Sequence, residues 1–230
     1  MKVLAIDTST ASASACVIED GRLLGEITLN PLKPHSQIIM PVIEKLLRQL
    51  ELKASDIDLF ASTQGPGSFT GLRVGISTVK GLADGVDKPV IGVSTLEAMS
   101  HMFGFCNGMI CTLIDARRNQ VYFALYQYVD GNITTVMEPD VEDISILLCK
   151  LSCLEKPIIF TGDCVEKHVD LIREHLGSNG IMPMRAYCVS TAISAGILAE
   201  KMYSKNEYKK IEPDYMIKAY VDQEKNSTEV

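Results

Sequence analysis

KVLAIDTSTASASACVIEDGRLLGEITL, residues 2–29, reads as three short strands in a row. The run 2–7 is apolar and closes on Asp7, TSTAS is a turn cluster, 13–19 is a second strand, and 22–29 is a third. Asp20-Gly21 between the last two is the dipeptide of a tight hairpin turn, because both central residues of that turn need positive φ. The same order recurs at 109–137 in MICTLIDARRNQVYFALYQYVDGNITTVM. Strand 109–115 again ends in an aspartate, Asp115, and 120–129 and 132–137 flank a second Asp-Gly at 130–131.

The elements after each triplet also repeat. After the first, apolar residues at Ile38, Ile39, Val42, Ile43, Leu46, Leu47 and Leu50 are spaced by threes and fours, predicting an amphipathic helix from Ser36. Pro41, about one turn in, is expected to kink it. A strand at 57–63, a helix at 68–82, a strand at 90–93 and a helix at 94–103 complete the unit. The second half gives a helix at 140–153, a strand at 157–162, a helix at 165–176, a short strand at 181–184 and a helix at 190–205. Both halves therefore read βββ-α-β-α-β-α, a duplicated α/β fold with a cleft between two lobes. The expected lobes are 1–103 and 104–205, the last helix packing back on the first lobe, with 206–230 as a polar tail.

Composition fits this. The 230 residues are 47% apolar and 22% charged, too apolar for a disordered chain. No run approaches the ~18 apolar residues of a membrane span, and an aspartate at position 7 is unlike a secretory signal. The net charge of −7 is spread over both halves, with 9 basic against 11 acidic groups in 1–110 and 13 against 18 in 111–230. Neither half has the basic field of an independent nucleic-acid binder. Seven cysteines, an odd count without C-x-x-C, are expected to be buried free thiols in a reducing compartment.

Several residues could carry chemistry. Asp7 with Thr8 and Ser9 could hold a metal-bound water and offer hydroxyls to a phosphate, or could simply satisfy the turn. Its loop lacks the glycine that would let backbone N–H groups close round a phosphate. Gly67 and Ser68, in the Gly65-Pro66-Gly67-Ser68 turn, precede a helix whose N-terminus favours anions, or Ser68 caps that helix itself. Asp115, followed by Arg117 and Arg118, could be a second metal-facing carboxylate or a polar turn. His35, His101, His168 and His175 show no ligand spacing. Ser68 lacks the G-x-S-x-G context of a nucleophile elbow, which excludes a serine peptidase of that type.

The helix at 36–50 is apolar beyond one stripe, which allows deep burial or a partner surface. Gly71 and Gly75 lie one turn apart in the next helix, each costing ~1 kcal/mol against alanine. Close approach of another backbone would explain them.

The βββαβα unit used twice, with an aspartate after each first strand, resembles the actin-like (ASKHA, ribonuclease H-like) superfamily, in which the two hairpins hold ATP phosphates and a metal. AIDTST (5–10), HSQIIMPVIEKLL (35–47), GPGSFTGLRVGISTVKGLA (65–83), DARRNQVYFALY (115–126) and EPDY (212–215) narrow this and resemble the TsaB (YeaZ) family across nearly the whole chain. That resemblance implies a cytoplasmic, non-catalytic subunit in the synthesis of threonylcarbamoyladenosine in tRNA. It implies binding to TsaD, support from the ATPase TsaE, self-association through the same surface when alone, and little direct tRNA contact. No cofactor or metal is expected beyond weak or vestigial ATP or ADP binding at Asp7, Thr8, Ser9, Gly67, Ser68 and Asp115. TsaD-like enzymes hold a metal with H-x-x-x-H, and here His35 is followed four residues on by Ile39. With the resemblance, the helices at 36–50 and 70–82 are expected to form a dimer surface through Ile39, Met40, Ile43, Leu47, Gly75, Ile76 and Val79. The alternative is an independent ATP-dependent kinase or acyltransferase of the superfamily. Against it, Thr161-Gly162-Asp163 has a single glycine where the superfamily's adenosine site usually has two. Family members tend to carry a basic residue after P-x-Y. Met216 stands there instead, which leaves the tail's docking open, and its end (225–230) is expected to fray.

Overall fold

The computed structural model describes residues 1–130, 132–208 and 211–214. Its first sheet holds β1 (Lys2–Asp7), β2 (Ala13–Glu19), β3 (Arg22–Leu29), β4 (Leu59–Gly65) and β5 (Val90–Ser94) in the order β3-β2-β1-β4-β5. The second holds β6 (Gly108–Arg117), β7 (Gln120–Val129), β8 (Asn132–Asp143), β9 (Ile158–Thr161) and β10 (Gly180–Ile181), with β6 central and β8 and β10 at the edges. In each sheet the first three strands run antiparallel and the last two run parallel to the first. The duplication read from the two strand triplets is therefore a duplication of topology. Asp20 and Gly21 take φ of 49° and 74°, the left-handed pair that a two-residue hairpin demands.

Parallel neighbours require crossovers, supplied by α1 (His35–Gln49), α2 (Phe69–Asp84), α4 (Ile144–Ser152) and α5 (Val169–Leu176). α1 runs uninterrupted through Pro41 and buries Ile39, Val42, Ile43, Leu46 and Leu47. The remaining helices, α3 (Thr95–His101) and α6 (Ala192–Ser204), are exchanged between the lobes. α6 lays Ala192, Ala195, Leu198 and Ala199 on Val3, Ala5, Cys16 and Ile18 of the first sheet. α3 sends Leu96 and Met99, with Phe103 beyond it, against Ile110, Ile114, Ala124 and Tyr126 of the second. Small residues on α6 allow the close approach: a Cβ at Gly196 would stand 2.6 Å from Ile18 Cδ1.

Two sequence readings are corrected. β8 continues to Asp143, well past residue 137, and α4 starts at Ile144 where a start at 140 is expected. Pro139 is tolerated inside β8 because β8 is an edge strand, where a missing N–H costs no ladder bond. Asp143 ends the strand and caps the helix by accepting from the Ser145 N–H. The cysteines are all free thiols, but Cys149 and Cys153 are exposed rather than buried.

Candidate functional site

Asp7 ends β1 and is fully buried. Its Oδ1 accepts from the Ser9 N–H at 2.9 Å, the Ser9 hydroxyl at 2.6 Å and the Thr63 hydroxyl of β4 at 2.9 Å. Its Oδ2 accepts from the Ser190 hydroxyl just before α6. A carboxylate offers about four acceptor positions. Three donors meet Oδ1 and one meets Oδ2, from three separate parts of this chain, and the side chain has no solvent-facing surface.

The Gly65–Ser68 turn is folded onto the same hairpin. The Ser68 N–H donates to the Ser9 carbonyl at 2.7 Å, and the Ser68 hydroxyl accepts from the Gly71 N–H as the N-cap of α2. Gly67 has φ of 155°, and a Cβ there would lie 2.4 Å from the Ser9 carbonyl oxygen. The glycine that reads as room for a phosphate is filled by the chain's own backbone. Gly65, at φ 134°, is covered in the same way by the Asp214 carbonyl, while the Asp214 N–H donates to the Gln64 carbonyl at 2.7 Å. The start of the tail thus docks, with Ile211 buried in the first-lobe core. The P-x-Y tyrosine and the expected fraying at 225–230 lie outside the described residues.

Asp115 ends up in different surroundings from Asp7. It is exposed, accepts from the Arg117 N–H at 3.1 Å and pairs with Lys167 at 3.4 Å. Its own N–H donates to Asp163. Arg117, Arg118 and Asn119 turn the hairpin with three successive positive φ angles. Gly162 has φ of 119° and packs against β6, where a Cβ would meet the Leu113 carbonyl at 1.9 Å. Crowding by surrounding protein pushes the Asp163 carboxyl above its ordinary value. His35 bonds the Thr10 carbonyl through Nε2 at 2.8 Å and so positions the first turn. Among the described residues no group of three or more His, Cys, Asp or Glu could hold a metal ion.

The expected partner residues require correction. Ile39, Ile43, Leu47, Ile76 and Val79 belong to the first-lobe core, packed with Leu4, Ile6 and Phe60. Gly75 is also buried: a Cβ there would stand 2.5 Å from Thr8 Oγ1, and one at Gly71 would stand 2.0 Å from the Thr8 carbonyl. The close backbone approach signalled by these glycines is made by the chain's own β1–β2 turn. The apolar excess of α1 is deep burial. Of the named residues only Met40 faces out, at 44% exposed. Outward on α2 are Phe69 and Arg73, the guanidinium lying 3.9 Å over the ring centroid. Sequence periodicity had marked the apolar stripe and could not mark these two.

Between the lobes lies a cleft of about 380 Å³. Thr10, Ala11, Ser12 and Asn30 line it from the first lobe, and residues between Gly162 and Ser190 line it from the second.

Comparison with known proteins agrees with this architecture. Residues 22–216 match the family model described as TsaD, tRNA N6-adenosine threonylcarbamoyltransferase. The tRNA threonylcarbamoyladenosine biosynthesis protein TsaB of Bacillus subtilis is 32% identical over 186 residues, 79% of this chain and 80% of its own length. A Pseudomonas aeruginosa crystal structure, described as an uncharacterized protein with similarity to peptidase YEAZ, superimposes with a TM-score of 0.80. It is 24% identical and covers 94% of this chain and 99% of its own. A ROK hexokinase from Thermus thermophilus shares the fold more distantly, at a TM-score of 0.52 and 11% identity over 88% of this chain and 100% of its own. The two lobes are thus of the actin-like type, and the chain belongs to the TsaB (YeaZ) family, within the wider group that the TsaD model describes.

Proposed function

We propose that this chain is the non-catalytic, TsaD-binding subunit of tRNA threonylcarbamoyladenosine synthesis, working in the cytoplasm, with TsaE supporting turnover. The pathway is the one in which its Bacillus subtilis relative is named. The observation that carries the non-catalytic part is the Asp7 carboxylate, which is fully buried and accepts from Ser9, Thr63 and Ser190. In an active actin-like site that carboxylate would have to face metal and water.

In this reading the first lobe, residues 1–103, is the pairing unit. Its partner surface is the outward side of α1 and α2, with Met40, Phe69 and Arg73 in place of the buried residues behind them. The same side serves self-association when the partner is absent. The acidic balance of the chain, −7 overall, leaves most tRNA phosphate contact to the other subunits.

The test is reconstitution of tRNA modification from the host's TsaD and TsaE, supplied with tRNA, MgATP and threonylcarbamoyl-adenylate, with and without this chain. The expected result is modified adenosine only when all three are present, and no hydrolysis of MgATP by this chain alone. Turnover of MgATP by the isolated chain would favour an independent kinase or acyltransferase. Full modification without it would remove the subunit role.

A further inference from the structure

The cleft between the lobes survives although the phosphate-holding features beside it are closed. Its volume of about 380 Å³ lies within the usual range of small-molecule pockets. The second-lobe wall sets an apolar strip of Val165, Val169, Met182 and Pro183 among polar and charged side chains. The first-lobe wall is Asn30 and the Thr10–Ser12 turn, whose hydroxyls already bond one another and the Ser190 carbonyl. Four charged side chains and the Cys188 thiol remain. Arg185 is paired with Glu166 at 2.9 Å, while Arg173 has no carboxylate partner among the described residues. Asp163 lies on the same wall, exposed, with one carboxylate oxygen accepting from the Asp115 N–H.

This balance selects a ligand class. A polyphosphate would bring three or four negative charges to a wall with one unpaired cation and two carboxylates, and Asp7, the first-lobe acid, is buried among its own donors. A flat apolar ring fits an aliphatic slot, and a single carboxylate matches a single guanidinium, which binds it with two parallel hydrogen bonds. We propose that the interlobe cleft binds a small aromatic monocarboxylate, without a metal ion, its ring against Val165 and Val169 and its carboxylate on Arg173. The proposal stands apart from the subunit role above, since it needs no partner protein.

Calorimetric titration of the full chain with 2-naphthoate tests it, with and without EDTA. The expected result is saturable one-to-one binding indifferent to EDTA. Arg173→Gln removes a charge-assisted contact and should weaken binding by about ten-fold or more. Val169→Trp should fill the slot and abolish binding. Arg173 is exposed, so its variant keeps the fold even if Val169→Trp does not, and thermal melting checks both. Absence of saturable binding would overturn the proposal. So would binding unchanged by Arg173→Gln, or displacement of 2-naphthoate by MgATP but not by metal-free benzoate.

Discussion

The Ser190 hydroxyl donates to the Asp7 carboxylate, joining the chain just ahead of α6 to the end of β1 across 183 positions. Two neighbours reinforce it: the Ser12 hydroxyl donates to the Ser190 carbonyl, and the Ala192 N–H donates to the Ser14 hydroxyl. Together they seat α6 on the first sheet and fix the wall of the cleft. The residue that an actin-like enzyme would turn toward its metal is here a structural anchor between lobes.

That anchor makes Asp7 a stability residue. Asp7→Ala leaves buried donors on Ser9, Thr63 and Ser190 without an acceptor, and hydrogen bonds to a charged group contribute about 1.5–3 kcal/mol each. Urea denaturation is expected to show a loss of about 3 kcal/mol or more for Asp7→Ala, and about 1–2 kcal/mol for Ser190→Ala. An Asp7→Ala protein as stable as the parent would mean that the carboxylate is not engaged in this way.

Three glycines of α2 give predictions of opposite sign. Alanine at a helix interior is intrinsically better than glycine by about 1 kcal/mol. At Gly81 the new Cβ meets nothing within 4 Å, so Gly81→Ala is expected to stabilise by up to about that amount. At Gly71 and Gly75 the Cβ would press on Thr8, whose carbonyl and hydroxyl cannot both withdraw from the turn they hold. Gly71→Ala and Gly75→Ala are expected to destabilise by about 1–3 kcal/mol, a contrast that thermal melting of the three variants reads directly.

The strand triplets, their hairpins and the helix stripes were legible because each is local: a period of two, a period near four, an Asp-Gly between them. The Asp7 anchor was half legible. An aspartate closing the first strand stands out, but Thr63 and Ser190 come from distant positions, and a serine carries no periodic signal. The glycine pair correctly signalled a backbone contact while leaving its owner open, since spacing within a helix says nothing about what lies opposite. Similarly, the apolar width of α1 could not distinguish core from interface, and burial of Ile39, Ile43 and Leu47 decided it.

Two histidines set an acid limit. Burial, with the Lys167 charge second, holds His168 below its ordinary value of 6.5, and burial with Lys201 does the same for His101. Each therefore binds a proton less readily folded than unfolded. The unfolded state binds more protons below about pH 6.5, so stability falls as pH drops through that value, until the folded histidines titrate. The slope is about 1.4 kcal/mol per pH unit for each histidine at most. Glu97, raised by burial, acts in the opposite sense, so the variant comparison is needed. Denaturation midpoints between pH 5 and 7.5 should flatten in His168→Gln.

The two faces of α1 separate partner binding from folding. Met40 is exposed and Ile43, one turn of the same helix away, is 1% exposed in the core. A charge at position 43 would be buried without a partner, a change that costs several kcal/mol. Ile43→Glu is thus expected to lower expression and melting temperature before any binding can be scored. Met40→Glu stays in solvent, and its melting temperature should match the parent. If the outward side of α1 and α2 receives TsaD, Met40→Glu combined with Phe69→Asp should reduce co-purification with the host's TsaD by about ten-fold or more, the effect of losing central apolar contacts. Undiminished capture by a folded double variant would move the partner surface elsewhere, most directly to the exposed second-lobe residues Met184 and Tyr187.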